Sequence, residues 1–218
     1  MWKTILVSNM FLSSFDYYYI VYIWNELIIE YCKRLELVKN AELFAKKKHS
    51  GQFRKDGFTT YSKHLEDVVN RLKSLGVIDE ELLCAGWLHD TIEDTDVTFD
   101  DLFEKYDSRI AVLVSTLSKD MSLTRKQRER IYVKQLQEAS FDAKLIKLCD
   151  ISANLSDLKN YDASKSKKLR QVRKIRHYLT VIKNDLIENT DYPKTMTLLE
   201  SINQNLKQFG LRSISLLN

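Results

Sequence analysis

A chain of 218 residues with one proline and five glycines has few places to reverse direction tightly. Sheet-rich folds use such residues at every hairpin, so their scarcity points to helices joined by short polar turns. The length fits one domain and is enough to bury a substantial core. Hydrophobic residues make up 44% and charged residues 29%, as in soluble globular proteins. The 34 basic residues against 30 acidic ones suit an anionic ligand, but the excess is too slight for a dedicated nucleic-acid binder. Cys32, Cys84 and Cys149 lie far apart with no C-x-x-C pair, and read as reduced thiols of a cytoplasmic protein.

The chain reads mostly with a helical period. Residues 36–50 are expected as one helix, and 51–61, with two glycines and a threonine pair, as a loop. Over 62–75, Leu65, Val68, Val69, Leu72 and Leu75 fall on one stripe that Gly76 ends. Residues 79–94 follow as one helix capped by Asp79, and Thr98 caps a short helix with an acidic first turn. Residues 110–117 fit strand or helix by period alone; their neighbours favour helix. Thr124 and Gln127 fit a capping box for a helix ending near Ala139, and Ser140 caps a helix reaching Leu158. Ser164 opens a long basic helix to Asn189. Pro193 sits near the start of a last one, with Met196, Leu199, Ile202, Leu206 and Phe209 on its stripe and Gly210 at its end.

The expected organisation is a compact, single-domain, all-α bundle over 36–210. An aromatic-rich extension, 1–35, precedes it and a short tail, 211–218, follows. The stretch from Ile5 to Trp24 is rich in Tyr, Phe and Ile, but Asp16 interrupts it. It has neither the clean apolar core of a secretory signal nor that of a membrane span, so an added helix or a dispensable extension is expected, with Met10 as a possible alternative start.

The chemistry concentrates at His89-Asp90-Thr91-Ile92-Glu93-Asp94, one imidazole and three carboxylates within six residues. On a helix His89 lies one turn from Glu93, and Asp90 one turn from Asp94. The preceding Leu82, Leu83, Ala85, Trp87 and Leu88 are apolar, so this face starts inside the protein. Titratable groups gathered near a core repel and desolvate one another unless a cation compensates. A charged helix end on the surface is the plain alternative, although acidic residues near a helix C-terminus oppose the macrodipole. Asp150 ends another apolar helix face, with Asn154 one turn on; it needs a metal or a salt-bridge partner. His64 stands beside apolar Leu65; alone it reads as an ordinary core histidine, as do His49 and His177.

Together His64, His89-Asp90 and Asp150 resemble the H…HD…D signature of the HD-domain phosphohydrolases. The stretches Gly51-Gln52-Phe53-Arg54-Lys55, Tyr61-Ser62-Lys63-His64, His89 to Thr95, and Lys147 to Leu158 sharpen the resemblance. They resemble the (p)ppGpp hydrolase branch: the hydrolase half of the RelA/SpoT enzymes and the stand-alone alarmone hydrolases. An HD dipeptide alone is a weak motif; HD followed by x-x-E-D-T, with G-Q-x-R-K upstream and D-x-x-x-N downstream, is specific.

The resemblance implies that His64, His89, Asp90 and Asp150 ligate one divalent ion, Mn²⁺ in this branch. It implies that Glu93 and Asp94 orient or deprotonate the attacking water, that Arg54 lies against the guanine, that Lys55 assists at the nucleotide or phosphates, and that Asn154 contacts the nucleotide. The partner is then a small nucleotide, with no nucleic acid and no membrane, and the reaction is hydrolysis of the 3′-pyrophosphate of (p)ppGpp. The alternatives are another HD phosphohydrolase, either an NADPH 2′-phosphatase or a nucleotidase, and a silent nucleotide-binding HD domain. Three departures bear on substrate choice: Thr60 precedes Tyr61 where the family commonly has proline, Leu65 follows His64 where proline is frequent, and Ile151-Ser152 replaces the arginine after the metal-binding aspartate. The basic run from Lys165 to Arg176 reads as a solvated helix face or as a rim attracting a polyanion.

Overall fold

The computed structural model describes residues 14–158 and 161–216. The chain divides into two units, Met1–Glu36 and Leu37–Asn218. Among the described residues the fold is all helical, and an isolated bridge between Phe53 and Thr60 stands in place of any strand. The first helix, α1 (Ser14–Lys48), starts well before the expected position 36, because nothing from Ser14 to Leu35 is glycine or proline. The possible alternative start at Met10 lies outside the described residues. No helix among those described is long and apolar enough to cross a membrane.

The second unit holds the remaining helices: α2 (Tyr61–Leu75), α3 (Glu80–Leu88), α4 (Thr91–Asp94), α5 (Phe99–Lys105), α6 (Ser108–Leu117), α7 (Arg125–Glu138), α8 (Phe141–Asp157), α9 (Lys165–Glu188) and α10 (Lys194–Gln208). The stripe read from sequence on α2 is buried along its whole length, and Gly76, at φ 103°, closes the helix in the left-handed conformation that glycine adopts without penalty. Helix α8 packs against α2, α3, α6, α9 and α10. Every residue from Ala143 to Ile151 is therefore buried. Burial of each large apolar side chain there, such as Leu145, Ile146 or Leu148, contributes roughly 1.5–3 kcal/mol. The polar residues on the same helix must find partners inside: Lys144 donates to the Gln137 carbonyl at 3.0 Å and pairs with Asp185.

Three expectations need correction. The helix expected over 79–94 breaks into α3 and α4, with His89 and Asp90 at the junction. Side chains interrupt the backbone ladder there: His89 Nδ1 donates to the Gly86 carbonyl at 2.8 Å, and Thr91 Oγ1 donates to the Leu88 carbonyl at 2.7 Å. The capping box at Thr124 does not form; its hydroxyl donates to the Gln127 side chain at 2.6 Å instead of accepting from the backbone. The segment expected as a tail packs back over its described part. Asn203 bonds both the carbonyl and the N–H of buried Ile214, at 3.0 and 2.8 Å.

Candidate active site

Four elements converge on one point. Helix α2 brings His64, the α3–α4 junction brings His89 and Asp90, α4 carries Glu93 and Asp94, and α8 brings Asp150. Gly86 lets α3 approach α2 closely, since a Cβ there would lie 2.7 Å from Leu72 Cδ1. The same glycine's carbonyl takes the His89 Nδ1 proton and so leaves Nε2 as the free nitrogen.

The His64, His89 and Asp90 donor atoms lie within 4.8 Å of one another. His89 Nε2 is 3.1 Å from Asp90 Oδ2, and His64 Nε2 is 3.7 Å from the same oxygen. Asp150 Oδ1 approaches from α8, 3.2 Å from His64 Nε2 and 3.9 Å from His89 Nε2. Both histidines are buried, yet neither Nε2 makes a hydrogen bond. Two buried, unsatisfied imidazole nitrogens facing two carboxylates fit a divalent ion, and the mixed N/O donor set suits Mn²⁺, Fe²⁺ or Zn²⁺.

The electrostatics agree. Burial alone would lower the His89 pKa, but the adjacent Asp90 carboxylate outweighs it and pushes the value up to about 9. At His64 burial wins and the pKa falls. Burial would raise Asp150, but the Lys147 ammonium, 2.8 Å from its Oδ2, holds it well below the ordinary carboxylate range. A field that draws a proton onto one imidazole would equally draw a metal cation.

Above this cluster lies a cavity of about 470 Å³. Arg54, Lys55, Lys119, Lys147 and Lys174 line it together with Asp90, Glu93, Asp94 and Asp150. The loop before α2 presents Arg54 and Lys55. Asp56 closes its turn by accepting from the Phe58 and Thr59 N–H groups at 3.1 and 2.9 Å, and Gly57 takes φ 83°. Arg54 is fixed by Asp157 (Nε to Oδ2, 2.8 Å) and by the Asn154 side-chain oxygen (2.6 Å), with its guanidinium 5.2 Å from the Tyr61 ring centre. Asn154 also donates to Asp150 Oδ1, so it joins the arginine to the acidic cluster. Lys55 reaches Gln171 on α9 at 3.0 Å. Glu93 accepts from Lys119 at both carboxylate oxygens, each at 2.9 Å, and from the Lys119 N–H at 3.1 Å.

The structure thus brings all nine sequence-selected residues to one cavity or its floor. It also adds residues the sequence reading did not select. Lys147 lies three residues before Asp150 on α8, a spacing at which helical side chains meet, but the family resemblance gives it no role. Lys119, in the loop after α6, and Tyr178, on α9, carried no local signal. Of the basic run on α9, Lys174 lines this cavity, whereas Lys165 and Lys168 line a separate depression. Ser152, in the Ile151-Ser152 pair that follows Asp150, accepts from Arg71 of α2 at 3.1 Å.

Residues 41–175 match the HD domain family. The chain belongs to that family. It is 38% identical over 129 residues to the guanosine-3′,5′-bis(diphosphate) 3′-pyrophosphohydrolase MESH1 of Danio rerio, covering 58% of this chain and 72% of the relative. It is 28% identical over 202 residues to a guanosine-3′,5′-bis(diphosphate) 3′-pyrophosphohydrolase of Aquifex aeolicus, covering 85% of this chain and 29% of that longer protein. Among solved structures, a metazoan orthologue of SpoT that hydrolyses ppGpp superposes with a TM-score of 0.70 at 28% identity, over 80% of this chain and 96% of that one. The HD-type, all-helical bundle expected from the sequence is therefore the fold of this protein.

Proposed function

We propose that this HD-domain protein is a metal-dependent hydrolase that removes the 3′-diphosphate of guanosine-3′,5′-bis(diphosphate). The observation that carries the reading is the convergence of two buried, unpartnered imidazole nitrogens and two carboxylates at the floor of a cavity with cationic walls. His64, His89, Asp90 and Asp150 would hold one divalent ion, for which Mn²⁺ is our choice. When bound, such an ion supplies Lewis acidity toward water and toward phosphoryl oxygens.

The residues of the chain do the rest. Arg54, clamped by Asp157 and Asn154, offers a planar cation on which a guanine can stack. Lys55, Lys119 and Lys174 line the path of the phosphates and offset their charge. Glu93 and Asp94 orient the water and accept its proton. The water oxygen bonds to the phosphorus attached to the ribose 3′ oxygen, the bond between them breaks, and the 3′ oxygen takes up a proton. GDP and pyrophosphate leave; pppGpp gives GTP by the same step. We place the enzyme in the cytoplasm, consistent with the free thiols of Cys32, Cys84 and Cys149.

The test is turnover of ppGpp by the purified protein with Mn²⁺, following GDP and pyrophosphate, with EDTA as control and NADPH as competing substrate. EDTA-sensitive release of pyrophosphate supports the reading. Release of phosphate from NADPH with ppGpp untouched would replace it by a 2′-phosphatase, and binding of metal and nucleotide without turnover would leave a silent binding domain.

A further inference from the structure

Tyr61, the first residue of α2, has no role in the mechanism above, yet it touches both halves of the site. Its hydroxyl lies 2.7 Å from Asp90 Oδ2 and 2.7 Å from Asp94 Oδ2. Asp90 Oδ2 is the oxygen that faces both histidine Nε2 atoms. Among the described residues, Tyr61 is the side chain that holds the Asp94 carboxylate. The Asp94 backbone is tied separately: its carbonyl accepts from Gln52 Nε2 at 3.0 Å.

The ring itself does not need the hydroxyl to stay in place. His49 stacks on it with centroids 4.5 Å apart and planes inclined by 6°, and His49 is in turn held by Gln52 at 2.8 Å. The Arg54 guanidinium lies 5.2 Å from the ring centre. A phenylalanine would keep these ring contacts, so the hydroxyl serves the carboxylates rather than the packing.

We propose that Tyr61 is a positioning residue whose single hydroxyl proton, shared between Asp90 on the metal side and Asp94 on the water side, fixes the two carboxylates relative to each other. The inference rests on the functional reading above. Groups of this kind, bonded to a metal-ligating carboxylate, set its orientation, and their loss typically costs about 10–100-fold in metal affinity or activity.

The experiment compares wild type, Tyr61→Phe, Asp94→Asn and the double variant, measuring Mn²⁺ affinity by calorimetry and kcat and KM on ppGpp. Tyr61→Phe should weaken Mn²⁺ binding about tenfold and lower kcat by at least about tenfold, with KM changed less than about threefold. In the Asp94→Asn background the same change should cost less than about threefold more in kcat, because the alignment of Asp94 against Asp90 that Tyr61 provides is already lost. Unchanged Mn²⁺ affinity and kcat in Tyr61→Phe would overturn the proposal, as would full multiplication of the two kcat losses. If wild type binds Mn²⁺ but leaves ppGpp intact, the functional reading fails while the Mn²⁺ arm still decides the role of Tyr61. Should Tyr61→Phe fail to fold by circular dichroism, Tyr61→His keeps a stackable ring with a donor too short to bridge both carboxylates, and it must show the same loss.

Discussion

Two clusters in this molecule gather carboxylates from separate segments, and they resolve the repulsion differently. In one, Arg109 of α6 faces Asp79, Glu81 and Asp142, at 2.7, 2.6 and 2.9 Å. The guanidinium fork satisfies all three acids at a partly exposed position. In the other, Asp90 and Asp150 meet His64 and His89 in the interior, and both imidazoles keep an unpartnered Nε2. The first is an internally closed ion cluster. The second is only partly closed, by Lys147 and Asn154 on Asp150 and by Tyr61 on Asp90, and the two unpartnered imidazole nitrogens have the form of a ligand's place. The contrast shows that a gathering of acids does not mark a site; buried donors left without a partner do.

The comparison breaks most sharply at Asp150. Asp150→Ala, or His89→Ala, is expected to abolish Mn²⁺ binding and reduce turnover to background, as read by calorimetry and pyrophosphate release. Glu93→Gln should retain the ion and lose about 10²–10⁴ in kcat, the usual worth of a positioned general base; an intact rate would remove Glu93 from water handling. Arg54→Ala should raise KM for ppGpp by roughly tenfold or more, if stacking contributes about 1–3 kcal/mol, with a smaller effect on kcat.

Arg109→Leu should leave turnover unchanged and cost about 1 kcal/mol of stability, a small effect because the cluster is partly exposed and screened. Its pH dependence follows from Asp79. Burial raises that carboxyl's pKa, but the bond and charge of Arg109, together with the Leu82 and Glu81 N–H groups, lower it on balance. A depressed folded-state pKa gives stability that is present above the unfolded value and lost as pH falls through the folded one. The stability gap between wild type and Arg109→Leu should therefore shrink below about pH 4, measured by thermal midpoints. A gap that persisted or widened there would show that Asp79 is not the group involved.

Much of this was legible in the sequence, for identifiable reasons. The α2 stripe, the Asp79, Thr98 and Ser140 caps and the Gly76 terminator are local features, and each appears where the pattern put it. The nine candidate residues could be singled out because four short stretches carry them in a specific order. The break at His89-Asp90 was not, because it depends on side-chain bonds to the Gly86 and Leu88 carbonyls that no periodicity encodes. Lys119 against Glu93 and Arg109 among its three acids depend on how separate segments pack, so their residue types alone gave no sign, whereas Lys147 and Asp150 pair within α8 at i,i+3 spacing. Tyr61 stands in the Tyr61–His64 stretch, but its contacts with Asp90 and Asp94 arise only when the start of α2 meets the segment from the α3–α4 junction to the end of α4.

The most direct test of the metal centre is calorimetric titration of Mn²⁺ into EDTA-stripped wild type and Asp150→Ala, with Arg109→Leu as the control cluster. One ion per chain is expected in wild type and in Arg109→Leu, and none in Asp150→Ala. Binding that survives Asp150→Ala unchanged, or wild type that binds no ion, would contradict this expectation.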